Sequence, residues 1–327
     1  MKNALMTVVS VAALGTASVT GAEDLRLSHQ WSTQDIRHNV AQILADEVAA
    51  ADVDLEITIF PSQSLFRARE QYRPLSRGRL DMTVLPLSYA AGDRPEYHLS
   101  LMPGLVRNHD HAARLVESPF MDALEDVMAQ DDVMVLVHGY LAGGFAGVDR
   151  CITSPDDVEG VSIRAAGASF DQMLAGAGGS IASMASSEIY SAMQTGVLDA
   201  ANTSSSSFVS FRIYEQVSCY TPAGETALWF LYQPLLMNLS TFEKLSAEQQ
   251  AALRSAAEVA QAYYFEHAAL EDAKSVEVFS EAGVEIAEMT AEDFAKWRNL
   301  AAETSYEQFV ENYPNGQSLL DTALSIE

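Results

Sequence analysis

The sequence predicts an α/β protein of two lobes, on three observations: a chain of 327 residues, a βαβ pattern at its start, and a restart of that pattern after Gly143-Gly144. At roughly 100 to 200 residues per domain, the length suits two lobes that each bury a core. Apolar residues make up 48 % and charged residues 20 %, the balance of a globular protein, which excludes disordered and collagen-like classes.

The chain opens with one charge, Lys2, then an apolar stretch from Ala4 to Ala17, then Thr20-Gly21-Ala22 ahead of the acidic Glu23-Asp24. This is the pattern of a secretory signal over residues 1–22 and predicts export to the periplasm. The apolar stretch is too short to span a bilayer core of about 30 Å, and no later segment supplies the 18 uninterrupted apolar residues a span needs. No cysteine stands near the cleavage site to carry a lipid anchor.

Past the leader, Leu25 to His29 alternates as a strand, and Ile36, Val40, Ile43, Leu44 and Val48 mark the apolar face of a helix over Gln34–Ala50. Leu55, Ile57 and Ile59 alternate with Glu56 and Thr58 in a second strand. A third strand at Leu80–Leu87, a helix over His109–Ala129 and a strand at Val133–His138 complete the first half. The restart brings a strand at Val161–Arg164, a helix from Ser169, a strand at Ile181–Met184 and a helix over Ser187–Thr195.

Ala227–Asn238 reads as one long apolar strand passing between the lobes. Two capping boxes, Ser240 with Glu243 and Ser246 with Gln249, start a helix that runs to Glu281 without Pro or Gly and links the lobes. A strand at Val284–Ala287 and a helix capped by Thr290 with Asp293 close the chain. The expected division is 23–142 with 230–270 for the first lobe and 143–229 with 271–327 for the second. In open α/β sheets ligands bind outside the carboxyl ends of strands, so the cleft between such ends is the expected site.

Charge and cysteine usage narrow the partners. The formal charge is −26, and without Lys2 the chain carries 18 basic against 45 acidic residues, or −27. Nucleic acid and anionic membranes are therefore poor partners. A small anion is repelled only at long range, because salt screens that field beyond about 8 Å. Cys151 and Cys219 are disulfide candidates in an exported protein, with two isolated free thiols as the alternative. They lack the CxxC spacing of a metal or redox site. An exported hydrolase is a further alternative, but neither GxSxG nor HExxH occurs; no enzyme activity and no cofactor are expected.

Two segments carry a family resemblance. Asp156-Asp157-Val158-Glu159-Gly160-Val161-Ser162-Ile163-Arg164 is similar to a "peDlkGlkiR" motif, and Ser187-Glu188-Ile189-Tyr190-Ser191-Ala192-Met193-Gln194-Thr195-Gly196-Val197-Leu198-Asp199 to "sEvYxALQxGvvD". Phe60-Pro61-Ser62-Gln63, Arg69-Glu70, Leu80-Asp81-Met82 and the run from Asn238 through Phe242-Glu243-Lys244-Leu245-Ser246 to Gln249 add to it. With these, nearly the whole mature chain resembles the solute-binding subunits of tripartite ATP-independent periplasmic (TRAP) transporters. The resemblance implies a type II-like periplasmic binding protein fold, a small organic anion as ligand, a sugar acid or dicarboxylate for example, and TRAP membrane subunits as partners. The same cleft serving a sensor or another transporter class is the alternative.

The resemblance also implies that Arg164 pairs with the ligand's carboxylate. A guanidinium suits that role, because its planar fork matches a carboxylate and stays charged when desolvated. No lysine between Asn3 and Glu243 competes for it; an internal salt bridge is the alternative use. Where relatives read "vDGxEN", this chain has Asp199-Ala200-Ala201-Asn202-Thr203-Ser204, which puts Thr203, with Asn202 before it, at the ligand-contacting position. Gly144-Phe145-Ala146 replaces the "GfR" segment that often brings a second arginine, so no two-arginine clamp is implied. Ser205 to Ser207 are expected to be a helix start with solvated hydroxyls.

From the first lobe, the resemblance places the turn His29-Gln30-Trp31 and the loop holding Arg67 and Arg69 along the cleft. For Trp31 core packing is an equal alternative, and His29 also reads as a capped surface group. On the crossing strand, Trp229, Phe230 and Tyr232 are core candidates of which one stacks on the ligand, since alternate side chains face opposite ways.

Overall fold

The structure is a computed structural model and describes residues 23–326; the expected leader lies outside the described residues. Along the chain the strands are β1 (Glu23–Ser28), β2 (Leu55–Phe60), β3 (Met82–Val84), β4 (Val133–Val137), β5 (Tyr140–Gly147), β6 (Ser162–Ala165), β7 (Ser180–Ser183), β8 (Ala200–Ser204), β9 (Cys219–Thr221), β10 (Trp229–Tyr232), β11 (Leu235–Asn238) and β12 (Glu285–Ile286). They form two mixed sheets. The first has the order β2-β1-β3-β11-β4; the second runs β12-β9-β5-β8-β6-β7, with β10 also paired to β5.

The alternation of apolar residues explains how each sheet is covered on both faces. On β11, Leu235 and Met237 join one apolar cluster, with the helix Ile36–Ala50, while Leu236 joins the opposite one. In the second sheet Phe145 packs with Ile163, Phe170 and Trp297 on one side, and Ala146 with Ile189, Phe208 and Tyr220 on the other. Both sheets are thus sandwiched between helices.

Several elements differ from expectation, for local reasons. The single strand expected at Ala227–Asn238 is two, β10 and β11, broken at Gln233-Pro234 because proline donates no ladder hydrogen bond. β10 pairs with β5 and β11 with β3 and β4, so this stretch does pass from one sheet to the other. The helix expected over His109–Ala129 is two helices, His109–Val116 and Pro119–Gln130, divided at Ser118-Pro119. Ser240 does not begin a helix. Asn238 caps the helix Leu239–Lys244 instead, accepting from the Thr241 N–H at 2.9 Å.

The second capping box is present. Ser246 Oγ and the Gln249 side chain satisfy one another's backbone N–H groups at the start of a helix over Ala247–Glu281. Its 35 residues span about 50 Å, long enough to pack along the helix Ile36–Ala50 and β4 and then along β5, the helix Ser205–Ser210 and β12. The Thr290 cap of the helix Ala291–Ala301 is present too. In the last helix, Gly316–Leu324, Leu320 and Ala323 join the cluster around Leu115 and Phe120.

Strand β5 is the centre of the second sheet, bonded to β8, β9 and β10. Its Gly143 and Gly144 allow that crowding: a Cβ on either would lie 1.9 Å from the carbonyl oxygen of Thr203 or Thr221. Cys151, just past β5, is bonded to Cys219 of β9, with Cα atoms 5.1 Å apart. The bridge fixes the edge at which β9 and β12 join.

Candidate functional site

In the first sheet β1 and β3 are parallel, and in the second β6 is parallel to β7 and β8. The carboxyl ends of these strands meet across the gap between the lobes. β1 runs out into His29-Gln30-Trp31, and β3 into the turn that holds Ser88 and Tyr89. From the other side come Ala166 after β6 and Met184 to Ser186 after β7. The contacts across the gap are specific: Ser88 Oγ donates to Ala166 O at 3.1 Å, Ser186 Oγ to Gln30 Oε1 at 3.3 Å, and Gln63 Nε2 to Ser187 Oγ at 3.1 Å.

Arg164 lies at this junction and is fully buried. Its Nε donates to Met184 O at 3.0 Å, Nη1 to Asn202 O at 2.7 Å, and Nη2 to the Tyr89 hydroxyl at 3.0 Å. Every acceptor is a neutral oxygen. A guanidinium has five N–H groups, so two remain beyond these three bonds. Burial holds Arg164 below its ordinary pKa, partly offset by Tyr89. Asp171, in the first turn of the helix Ala168–Gly176, is within electrostatic reach but shares no hydrogen bond with Arg164 among the described residues. Burial raises its carboxyl above the usual range despite Arg69 and Arg164.

Arg69 approaches from the first lobe. Its guanidinium carbon stands 4.7 Å from the Tyr89 ring centroid, and Nη2 donates to Met184 O at 3.2 Å and Ser183 Oγ at 3.4 Å. A cavity of about 620 Å³, lined by Gln63, Arg67, Arg69, Ala185 and Glu188 among others, opens beside it between the lobes. Arg164, Arg69 and the backbone of Asn202 are therefore drawn to one place, together with Tyr89, Gln30 and Ser186.

Asn202 and Thr203 divide. Arg164 is registered against Ala201, two residues before Thr203, so Thr203 shares the face of Arg164 and Asn202 faces the other side with its partner Phe145. Both polar atoms of the Asn202 side chain are buried and lack a hydrogen bond among the described residues. Trp229 is buried in the apolar cluster of Phe145 and Trp297, and its Nε1 also lacks a partner there.

His29 and Trp31 belong to a second constellation. His29 is buried, not a surface group: Nε2 is 3.1 Å from His38 Nδ1, and its own Nδ1 accepts from the Trp31 N–H. Burial first, then the neighbouring His38, pushes its pKa down to about 4. Trp31 is fully buried beneath Arg37, whose guanidinium carbon stands 3.9 Å from the ring.

Arg37 is held by both oxygens of Asp35, at 2.6 and 2.7 Å, by Gln233 Oε1 at 2.7 Å, and by Ser206 and Ser207 Oγ at 2.9 Å each. The Ser204–Ser207 run corrects the expectation. Ser204 does cap the helix Ser205–Ser210, but all four serines are buried: the hydroxyls of Ser204, Ser206 and Ser207 serve Arg37 and one another, and that of Ser205 donates to Ala142 O at 3.4 Å. Arg37 and Tyr89 carried no motif in the sequence. The one hint was position, at the first turn of a helix and just past a strand end.

Residues 27–312 match the sequence profile of a family described as bacterial extracellular solute-binding protein, family 7. A solute-binding protein of Albidiferax ferrireducens is 32 % identical over 291 residues, 87 % of this chain and 86 % of that protein. Among solved structures, a TRAP periplasmic solute-binding protein from Rhodoferax ferrireducens with bound malonate superposes with a TM-score of 0.88 at 31 % identity, covering 91 % of this chain and 96 % of that one. One from a Sulfitobacter species with bound β-D-galacturonate gives 0.86 at 21 % identity over 92 % of this chain and 99 % of that one, a likeness of fold.

Proposed function

The chain belongs to family 7 of the bacterial extracellular solute-binding proteins, and from that premise we propose that it holds the carboxylate of a small organic acid on Arg164 and carries it to the membrane subunits of a TRAP transporter. The observation behind this reading is the state of Arg164: a fully buried cation between the two lobes, bonded to neutral oxygens alone. A buried charge is costly unless paired, and a ligand carboxylate supplies the missing anion. The fork's two free N–H groups suit its two oxygens.

Thr203, on the same face, and Arg69, at the mouth, are the further ligand contacts we infer. The Asn202 side chain, on the opposite face, His29 and Trp31, held in the Arg37 constellation, and Trp229, buried in the apolar cluster of Phe145 and Trp297, are weaker candidates. The leader over residues 1–22 supports export. The ligand contacts both lobes only when they are together, so its differential affinity favours the closed form.

The test is a thermal-shift screen followed by calorimetry. Malonate, succinate, D-glucuronate, D-galacturonate and pyroglutamate make a suitable panel of carboxylates, and an acid that binds only the folded protein raises its Tm. Two charge-assisted hydrogen bonds are worth about 3 to 6 kcal/mol, so Arg164→Met loses the best acid by a hundredfold or more while melting as a folded protein. Unchanged affinity in that variant refutes the assignment.

A further inference from the structure

Resting on the reading of Arg164 as anchor, we propose that Tyr89 is a specificity-determining residue of the same site: its phenol donates the hydrogen bond by which the first lobe holds the carboxylate that Arg164 holds from the second. The Tyr89 oxygen accepts from Arg164 Nη2 and from the Ser186 N–H, each at 3.0 Å. A phenol oxygen so occupied has its own proton left to give. Among the described residues no acceptor takes it.

A further free donor lies on the same chain of hydrogen bonds. Gln30 Oε1 takes the Ser186 hydroxyl hydrogen, and the Gln30 Nε2 amide is buried without an acceptor among the described residues. Gln30 and Tyr89 in the first lobe and Arg164 in the second thus present unspent N–H and O–H groups along one connected chain of hydrogen bonds. A group that completes it must be rich in acceptors and carry no proton of its own. A carboxylate meets that demand, whereas an ammonium or an amide N–H placed against these three groups would meet donors.

Electrostatics sharpens the donor. Burial pushes the phenol up, but the guanidinium of Arg164, then that of Arg69 over the ring, and the Ser186 N–H outweigh it and leave Tyr89 below its ordinary pKa. A more acidic phenol gives a stronger hydrogen bond to an anion. It also adds no second positive charge beside Arg164, which fits the absence of an arginine from Gly144-Phe145-Ala146.

The experiment compares Tyr89→Phe, Arg164→Met and the natural protein by calorimetry with whichever acid of the five-member panel stabilises the natural protein most. Phenylalanine keeps the ring beneath Arg69 and removes only the hydroxyl. Tyr89→Phe is expected to bind roughly 10- to 100-fold more weakly and to melt within a few degrees of the natural protein in the absence of acid. Loss in Arg164→Met with unchanged affinity in Tyr89→Phe overturns the role of Tyr89 alone. Tighter binding by Tyr89→Phe overturns it too, since the phenol would then compete with the ligand for Arg164. Unchanged affinity in both variants, or no stabilisation by any of the five acids, removes the Arg164 reading and this inference together.

Discussion

Replacing Arg37 by leucine is the most informative test of how the lobes are held. Arg37 and Asp35 expose 1 % or less of their side-chain surface, and the pair is bidentate. Burial alone would raise the Asp35 carboxyl, but the charge and hydrogen bonds of Arg37 outweigh it and hold it below the usual carboxylate range. Arg37→Leu leaves that carboxylate buried without a cation, a loss of about 3 to 5 kcal/mol. Adding Asp35→Asn removes the stranded charge while the amide oxygen still caps the helix at the Arg37 N–H, and Ser204 and Ser207 keep their mutual bond. The double variant should therefore recover about 2 kcal/mol or more relative to Arg37→Leu. Urea unfolding at pH 8 and pH 4 reads both effects. The gap between the natural protein and Arg37→Leu should narrow at the lower pH, where the stranded Asp35 takes a proton and the natural pair begins to lose its stabilisation. Strictly additive losses, with the double variant the least stable of all, refute the coupling.

The remaining predictions concern stability. Cys151 and Cys219 close a loop of 68 residues, which by chain entropy is worth about 4 kcal/mol; the paired serine variant, or the protein under reductant, should melt roughly 8 to 15 °C lower, and a shift under 2 °C in calorimetry contradicts the bridge. Burial pushes His138 down to about 4, with Nδ1 2.7 Å from the Tyr232 hydroxyl and Nε2 facing Glu125 at 3.4 Å. The folded state resists its protonation, so stability present above about pH 6.5 is lost as pH falls toward 4, by up to about 3 kcal/mol. His138→Gln should flatten that part of the stability profile by close to one proton, and an unchanged slope in urea midpoints argues against it.

Much of the fold was legible because it follows from local periodicity and caps. The βαβ opening, the 35-residue helix begun by Ser246 and Gln249, and the restart after Gly143-Gly144 are all present. What was missed is non-local. β5 and β8 are made of small residues, Tyr140-Leu141-Ala142-Gly143-Gly144-Phe145-Ala146-Gly147 and Ala200-Ala201-Asn202-Thr203-Ser204, without the alternation that marks a half-exposed strand. They are strands because both faces are covered and small side chains let neighbouring backbones approach. The break of Ala227–Asn238 at Gln233-Pro234 shows proline outweighing an apolar run.

The site was half legible, and the contrast between its two buried arginines explains why. Arg164 and Arg37 are equally hidden from solvent, and burial by itself marks neither as a ligand group. Arg37 has a carboxylate two residues away on its own chain and serine hydroxyls brought from 167 to 170 residues further on. Its charge is spent within the protein, which makes it structural. Arg164 receives only carbonyl and phenol oxygens and no carboxylate among the described residues, which is the ground on which we propose it as the ligand group. A motif singled out Arg164, but the distinction lies in the acceptors, and these come from Met184, Asn202 and Tyr89 through contacts 20 to 75 residues apart. The same accounting governs the lobes. Where Arg37 spans them, the protein closes its own hydrogen bonds; where Arg164 and Tyr89 meet, donors remain without acceptors among the described residues, and on the proposed reading the free energy of completing them is what a bound carboxylate would contribute to closure.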